Sequence, residues 1–159
     1  MLALRASDIK TVRFIDEELT AIRPSRAVRV ASTGIGKRLL SLYAAICEDE
    51  GFSAMAATLP YGNAAVAYAM VFNHCGLVAR DAVLAFGYNR LTGIVSASLR
   101  LISMGQQQGQ LLLAKSTERL PHAADRILAT TDQPLRSFSP MLDIQQMNHQ
   151  YVYSRLFRS

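Results

Sequence analysis

The 159-residue chain has no tryptophan, only two cysteines and five prolines, and charged residues make up just 18% of it. Each scarcity excludes something. Cys47 and Cys75 form no Cys-x-x-Cys pair, which leaves no disulfide framework and no cysteine-rich metal knuckle; two buried free thiols in a reducing compartment fit better. Acidic residues (12) are fewer than Lys plus Arg (17), and the central segments hold almost none, so paired-carboxylate chemistry has no material there. Low charge combined with 50% hydrophobic content excludes a disordered chain. Long apolar runs are missing as well. The uncharged stretch 51–79 is broken by Pro60, Gly62, Asn63 and Asn73-His74, and its continuous part, Ala64 to Phe72, falls far short of the ~20 residues of a membrane span. Met1-Leu-Ala-Leu is followed at once by Arg5 and Asp8, unlike a signal peptide. A cytoplasmic protein without a membrane partner is expected.

The net charge of +5 points weakly to acidic partners. Basic residues in the first forty positions are interspersed with acidic ones and lack interleaved aromatics, so no nucleic-acid surface is expected.

What is present is helical periodicity. Alanine and leucine dominate and strand-like alternation is rare. The expected fold is all-α: a single-domain helical bundle of about five to six helices over 1–159, ending in a C-terminal tail at 150–159. Ser7 and Asp8 open the first helix, Ile9, Val12, Ile15, Leu19 and Ile22 share one face, and Pro24 ends it. A second helix runs from about Ser25 to Asp49 with the stripe Val28, Ala31, Ile35, Leu39, Leu42 and Ile46. Gly51 to Gly62 reads as a connection with Gly51 as a C-cap. Tyr61 to Cys75, apolar on nearly every side, is a central helix stopped by Gly76. A fourth helix from Ala79 to Met104 is also apolar almost all round, and two further stretches follow, Gln106 to Leu120 and Pro121 to Ala129. Thr130 to Pro134 is a loop, and Asp143 to His149 a short helix.

Several motifs invite chemistry. Ser32-Thr-Gly-Ile-Gly-Lys-Arg38 looks like a phosphate-binding loop, but Ala31 stands where the first glycine belongs, Arg38 where Ser or Thr belongs, and no strand precedes it. Nucleotide binding is rejected. His74 beside Cys75 is better read as a helix-end histidine than as a metal pair, because adjacent residues point to different sides of a helix. His122 and His149 have no nucleophile or carboxylate partner in sequence. Arg100 and the run Gly105-Gln106-Gln-Gln-Gly-Gln110 intrude into an apolar segment, where polar groups need partners; either an internal network or a recognition surface is implied. The ending, Tyr151 to Ser159, mixes Tyr, Phe and Arg, the residue types of interface hot spots. These features describe a binding module rather than an enzyme.

Three motifs carry a resemblance. Asp143-Ile, Met147-Asn-His149 and Tyr153-Ser-Arg-Leu-Phe-Arg-Ser159 together resemble the ending of the urease accessory protein UreF family. Arg100-Leu-Ile-Ser-Met-Gly-Gln106 is similar to that family's Arg-Leu-(Ile/Val)-Pro-Leu-Gly-Gln. Ala31-Ser32 through Gly36-Lys-Arg-Leu-Leu40 resembles its Ala-Ser-x-x-x-Gly-Arg-Arg-Leu-Leu. The resemblance implies an all-α, non-enzymatic accessory protein for urease maturation. Such a protein binds UreD (UreH in some organisms) and recruits the GTPase UreG, so that the assembly delivers nickel to apo-urease. It further implies a homo-oligomer within that complex, no tightly bound cofactor, and nickel handled by the assembly. Carried over by motif, the partner-binding residues are Arg100, Gly105, Gln106, Tyr153, Arg155, Leu156 and Phe157.

Three departures accompany the likeness. The family's N-terminal helical segment is lacking, its Arg and Glu flanking the tail histidine are Asn148 and Gln150, and its Pro-Leu is Ser103-Met104. Two alternatives stay open: a metallochaperone binding nickel directly through His149 with His74 or His122, and a truncated fragment without function.

Overall fold

The computed structural model describes residues 9–131, 133–135, 139–148 and 151. Among them are eight helices: α1 (Ile9–Ala21), α2 (Arg26–Cys47), α3 (Glu50–Ala57), α4 (Ala64–His74), α5 (Ala79–Leu101), α6 (Gln106–Thr117), α7 (Leu120–Leu128) and α8 (Pro140–Asn148). The all-α class agrees with the sequence reading, with more helices than the five or six expected. The surplus comes largely from α3, which occupies the expected connection. Its N-cap is Asp49, whose carboxylate accepts the Phe52 N–H at 2.8 Å, and Gly51 lies inside the helix instead of capping α2. The residue that ends α2 is Glu48, in the left-handed region at φ 50°.

The helices fall into two compact units, one holding α1–α4 and α8, the other α5–α7. In the first unit α4 is central, as its all-round apolar sequence requires: Val66, Ala67, Met70 and Val71 are buried with Val12 of α1, Leu40 of α2 and Phe52 of α3. Ser25 caps α2 by accepting from the Val28 N–H, and Gly76 at φ 77° follows the end of α4.

The junction between α1, α2 and the start of α4 is polar and fully paired. Asp16, on α1, has no solvent exposure. Its carboxylate accepts the backbone N–H groups of Tyr61, Gly62 and Asn63, each at 2.8 Å. The Asn63 side-chain amide donates to Asp16 Oδ1 at 2.9 Å and to Thr20 Oγ1 at 2.9 Å. From the other side Arg23 Nη1 donates to Asn63 Oδ1 at 2.8 Å and to Ser32 Oγ at 2.7 Å, while Ser32 Oγ accepts from the Ala64 N–H at 3.2 Å. Asn63, the N-cap of α4, makes no cap bond with its own side chain; Asp16 and Ser32 take up the N–H groups around it. A negative charge at a helix N-terminus is also favourable for the helix dipole.

Gly36 makes this approach possible. A Cβ there would collide with the Gly62 carbonyl oxygen and lie 2.8–2.9 Å from backbone atoms of Asn63 and Ala64. The look-alike phosphate loop is thus a packing surface, with Ser32 and Gly36 facing the chain at 62–64.

The second unit is thinner. The expectation that the fourth helix is core all round is corrected: α5 buries only Ala82 and Val95, because within its unit only α6 and α7 pack on it. The stripe expected to pack α2 is corrected too. Leu39 packs partly buried against the core and Val28 and Ala31 are half-buried, but Ile35, Leu42 and Ile46 are exposed, and the fully buried positions are Gly36 and Leu40. The polar α1–α4 junction fixes that phase, since Ser32 and Gly36 must face α4.

Three substitutions test this account. Gly36→Ala is expected to destabilise the chain by at least about 2 kcal/mol, since rigid backbone blocks the new methyl. Gly34→Ala, where a Cβ meets nothing, should stabilise it by about 0.5–1 kcal/mol through helix propensity. Asp16→Ala leaves three backbone N–H groups and an amide without their acceptor and should cost at least about 3 kcal/mol. Urea unfolding followed by circular dichroism measures all three.

Candidate partner-binding surface

The stretch joining α5 to α6 carries the described residues that the sequence motifs single out. Helix α5 ends at Leu101, three residues before the expected Met104. Ile102 turns extended at φ −124°, ψ 149°, and the Met104 N–H donates to the Ile102 carbonyl at 2.7 Å. Gly105 is the N-cap of α6 at φ −72°, ψ 156°, with its carbonyl accepting the Gly109 N–H at 3.0 Å. A tight bend therefore forms without the proline of the related motif. Gly109 lets α5 approach: a Cβ there would lie 3.0–3.3 Å from the Leu99 side chain.

Arg100, Gly105 and Gln106 are all exposed, so Arg100 and the glutamines are not polar intrusions in a core. Arg100 stands in the last turn of α5, where a cation suits the negative helix end. Its apolar neighbours are exposed with it, Leu101 at 57% and Ile102 at 60%. On α6, Leu111 and Leu112 are exposed while Leu113 is buried. Aliphatic side chains, a guanidinium and side-chain amides on one short segment make a surface able to bury apolar area and donate hydrogen bonds at its rim. The other motif residues, Tyr153, Arg155, Leu156 and Phe157, lie outside the described residues, as does His149.

A further polar cluster, distinct from the Asp16 junction, lies in the first unit. Tyr43 Oη hydrogen-bonds with His74 Nδ1 at 2.8 Å and with Cys75 Sγ at 3.2 Å, and His74 Nε2 stands 3.2 Å from Asp49 Oδ2. The expectation that adjacent residues diverge is corrected here: His74 ends α4, Cys75 caps it, and both reach Tyr43 of α2. Edge-on rings of Tyr43, Phe52 and His74, with centroids 5.0–5.5 Å apart, complete the cluster. The hydrogen bond to Cys75 pushes the Tyr43 phenol up to about 12, so it stays protonated at neutral pH. The Phe52 N–H and then His74 hold the Asp49 carboxyl below its ordinary value. Both His74 ring nitrogens are engaged, so the group clasps α2, α3 and α4 together.

A groove of about 330 Å³ in the same unit is lined by Lys37, Leu40, Ser41, Ala44, Ser53, Ala56, Ala57, Leu59 and Gly62. It contains no histidine, cysteine or carboxylate. No group of three or more metal-ligating side chains occurs among the described residues, and no helix among them is long and apolar enough to cross a membrane. Cys75 is exposed and Cys47 half-buried, so burial of both thiols is corrected.

The clasp has a pH signature. Because the Asp49 carboxyl is held low in the fold, its contribution is complete above the ordinary carboxyl range, near pH 4, and is lost as pH falls through the lowered folded value. Asp49→Ala should lower the melting temperature at pH 7, and the difference from wild type should close towards pH 2. Asp49→Asn, which can still cap α3, should lie between. Thermal melts across pH by circular dichroism check this.

Comparison with known proteins gives a consistent result. The UreF family model matches residues 1–117. The chain is 30% identical to the urease accessory protein UreF of Thermosynechococcus vestitus over 99% of its own length and 69% of the relative's. Identity to that of Microcystis aeruginosa is 33% over 96% and 66%. For that of Polaromonas sp. it is 28% over 99% and 67%. The chain thus spans about two thirds of the length of these relatives.

Proposed function

The chain belongs to the urease accessory protein UreF family, whose role in urease maturation is accessory and not enzymatic, and from that premise we propose that it is a binding scaffold for nickel insertion. Its partners are the second accessory protein, UreD or UreH, and the GTPase UreG, and the assembly acts on apo-urease. The chain forms a homo-oligomer within that assembly and works in the cytoplasm. Nickel is the cargo of the assembled complex and not a resident ion of this chain.

The observation that carries the reading is the exposed junction of α5 and α6, where Arg100, Leu101, Ile102, Gly105 and Gln106 stand together at the surface. A scaffold needs complementary surface rather than reacting groups. Truncating an arginine or large apolar anchor at the centre of such a surface removes most of its affinity. The tail residues Tyr153, Arg155, Leu156 and Phe157 add a second set of anchors, on the strength of their motif. Direct nickel binding through His74 is disfavoured, because Asp49 and Tyr43 already hold both of its ring nitrogens.

The test is capture of UreD or UreH and UreG of a urease-bearing host by the tagged chain. Wild type should retain them. Arg100→Ala combined with Ile102→Asp, and separately Arg155→Ala, should reduce capture at least tenfold with an unchanged circular dichroism spectrum. Wild-type capture by a variant would remove the corresponding surface from the proposal, and no capture by wild type would overturn the scaffold reading.

A further inference from the structure

At the end of α4 a thiol, a phenol, an imidazole and a carboxylate are linked one to the next, and their hydrogen bonds run in one direction. The Asp49 carboxylate can only accept, so His74 Nε2, 3.2 Å from Asp49 Oδ2, carries a proton. In the neutral ring Nδ1 then accepts, and the Tyr43 hydroxyl donates to it at 2.8 Å. That spends the single phenolic proton. The Tyr43 oxygen is left to accept from the Cys75 S–H, 3.2 Å away. A nucleophile, a base within hydrogen-bonding reach of it through one hydroxyl, and a third group that orients the base are the parts of an activated thiol.

The thiol is also reachable. Cys75 is exposed, and open space lies beside the next residue, where a Cβ on Gly76 would meet nothing. The base is sheltered, because the buried Phe52 ring lies edge-on to both Tyr43 and His74 with centroids 5.0 Å away. Cys47 is the contrast: it is half-buried, and its Sγ is turned to the Ala44 carbonyl at 3.9 Å. We propose that Cys75 is a site of covalent modification by low-molecular-weight disulfides, with His74 taking the thiol proton through Tyr43. Cys75 Sγ attacks one sulfur of the reagent, and a mixed disulfide forms as the reagent's own S–S bond breaks. The thiol proton passes to the Tyr43 oxygen while the phenolic proton moves to His74 Nδ1, and Asp49 stabilises the imidazolium. The departing thiolate takes a proton from that ring or from water and leaves as a free thiol. Cys75 is oxidised and the departing sulfur is reduced, so no further oxidant is needed. The site lies in the first unit, and the inference is independent of the scaffold reading built on the α5–α6 junction.

The experiment reacts the full chain, at micromolar concentration, with the neutral disulfide dithiodipyridine and follows each thiol by peptide mass spectrometry. At pH 7 Cys75 should be labelled before Cys47. Tyr43→Phe keeps the ring that packs on Phe52 and removes only the bridging hydroxyl, while His74→Gln removes the base. Each should slow Cys75 at least fivefold at pH 7 with an unchanged circular dichroism spectrum. At pH 10 an ordinary thiol is already ionised and needs no base, so both variants should come within twofold of wild type. If His74→Gln loses its helical spectrum, Tyr43→Phe alone decides. A folded variant that labels Cys75 as fast as wild type at pH 7, or faster, overturns the proposal, since the cluster then only screens the thiol. Slowing that persists at pH 10 overturns it too, because it reports altered access instead of lost proton transfer. Labelling of Cys47 ahead of Cys75 in wild type overturns it equally.

Discussion

The carboxylate of Asp16 holds three successive backbone N–H groups, and the first unit depends on that capture. Tyr61, Gly62 and Asn63 run into α4, the helix around which the apolar residues of α1, α2 and α3 collect. A buried carboxylate without partners would be too costly to keep. Here the acceptor capacity of Asp16 is filled by three main-chain donors and one amide, and no buried side-chain polar atom among the described residues lacks a partner. Directional polar bonds fix the register of α4 against α1, while Gly36 fixes its distance from α2. Apolar burial then supplies the bulk of the stability, because the helices have already been brought to one arrangement.

The two units answer to different demands. In the first, Val66, Ala67, Met70 and Val71 occupy a core shared by four helices, and Asp49, His74 and Tyr43 tie α3 to its neighbours from the rim. In the second, three helices bury little more than Ala82, Val95, Gly109, Leu113 and Ala124, leaving Tyr88, Ile94, Leu101, Ile102 and Leu111 exposed. Arg80 and Asp125 join α5 to α7 through a two-point contact, the shorter bond being 2.8 Å. An exposed pair of this kind orients helices more than it stabilises them. A catalytic protein needs a dry, preorganised pocket, whereas a protein that works by binding others can leave apolar side chains open. The second unit has the latter character, and the accessory family to which the chain belongs has the corresponding role.

Much of this fold is legible in the sequence, and the illegible parts share a cause. Periodicity locates most of the helices, and Ser25, Pro24 and Gly76 mark ends correctly because capping and backbone restriction are local effects. The central place of α4 follows from its composition alone. Asp16 is different: beside Glu17 and Glu18 it looks like one more surface acid on a helix, and only the tertiary approach of residues 61–63 distinguishes it. Gly34 and Gly36 also look alike in sequence, yet one faces solvent and the other faces backbone. Periodicity identifies the stripe Ile35, Leu42 and Ile46 as a packing face but cannot tell which of two such faces on α2 is occupied. At the stretch joining α5 to α6, Arg100, Gly105 and Gln106 are found through motif likeness, whereas the exposure of Leu101 and Ile102 depends on where α5 stops. The tail residues Tyr153, Arg155, Leu156 and Phe157 remain an inference from motif alone.

The same reasoning explains why Ser32 to Arg38 imitates a phosphate loop and does different work. Anion sites are built from consecutive N–H groups that converge on one point, often with a glycine at positive φ. Such a set of donors is present at Tyr61, Gly62 and Asn63, with Gly62 at φ 67°, but it lies across from the glycine-rich segment and not within it. The anion it holds is the side chain of Asp16. With those donors satisfied internally and Gly36 pressed against the backbone, no room or donor set is left there for a phosphate. A lysine after two glycines only imitates part of a pattern, while binding requires N–H groups aimed at empty space. In this chain an internal carboxylate fills that space, and the result is a fixed helix junction instead of a ligand site.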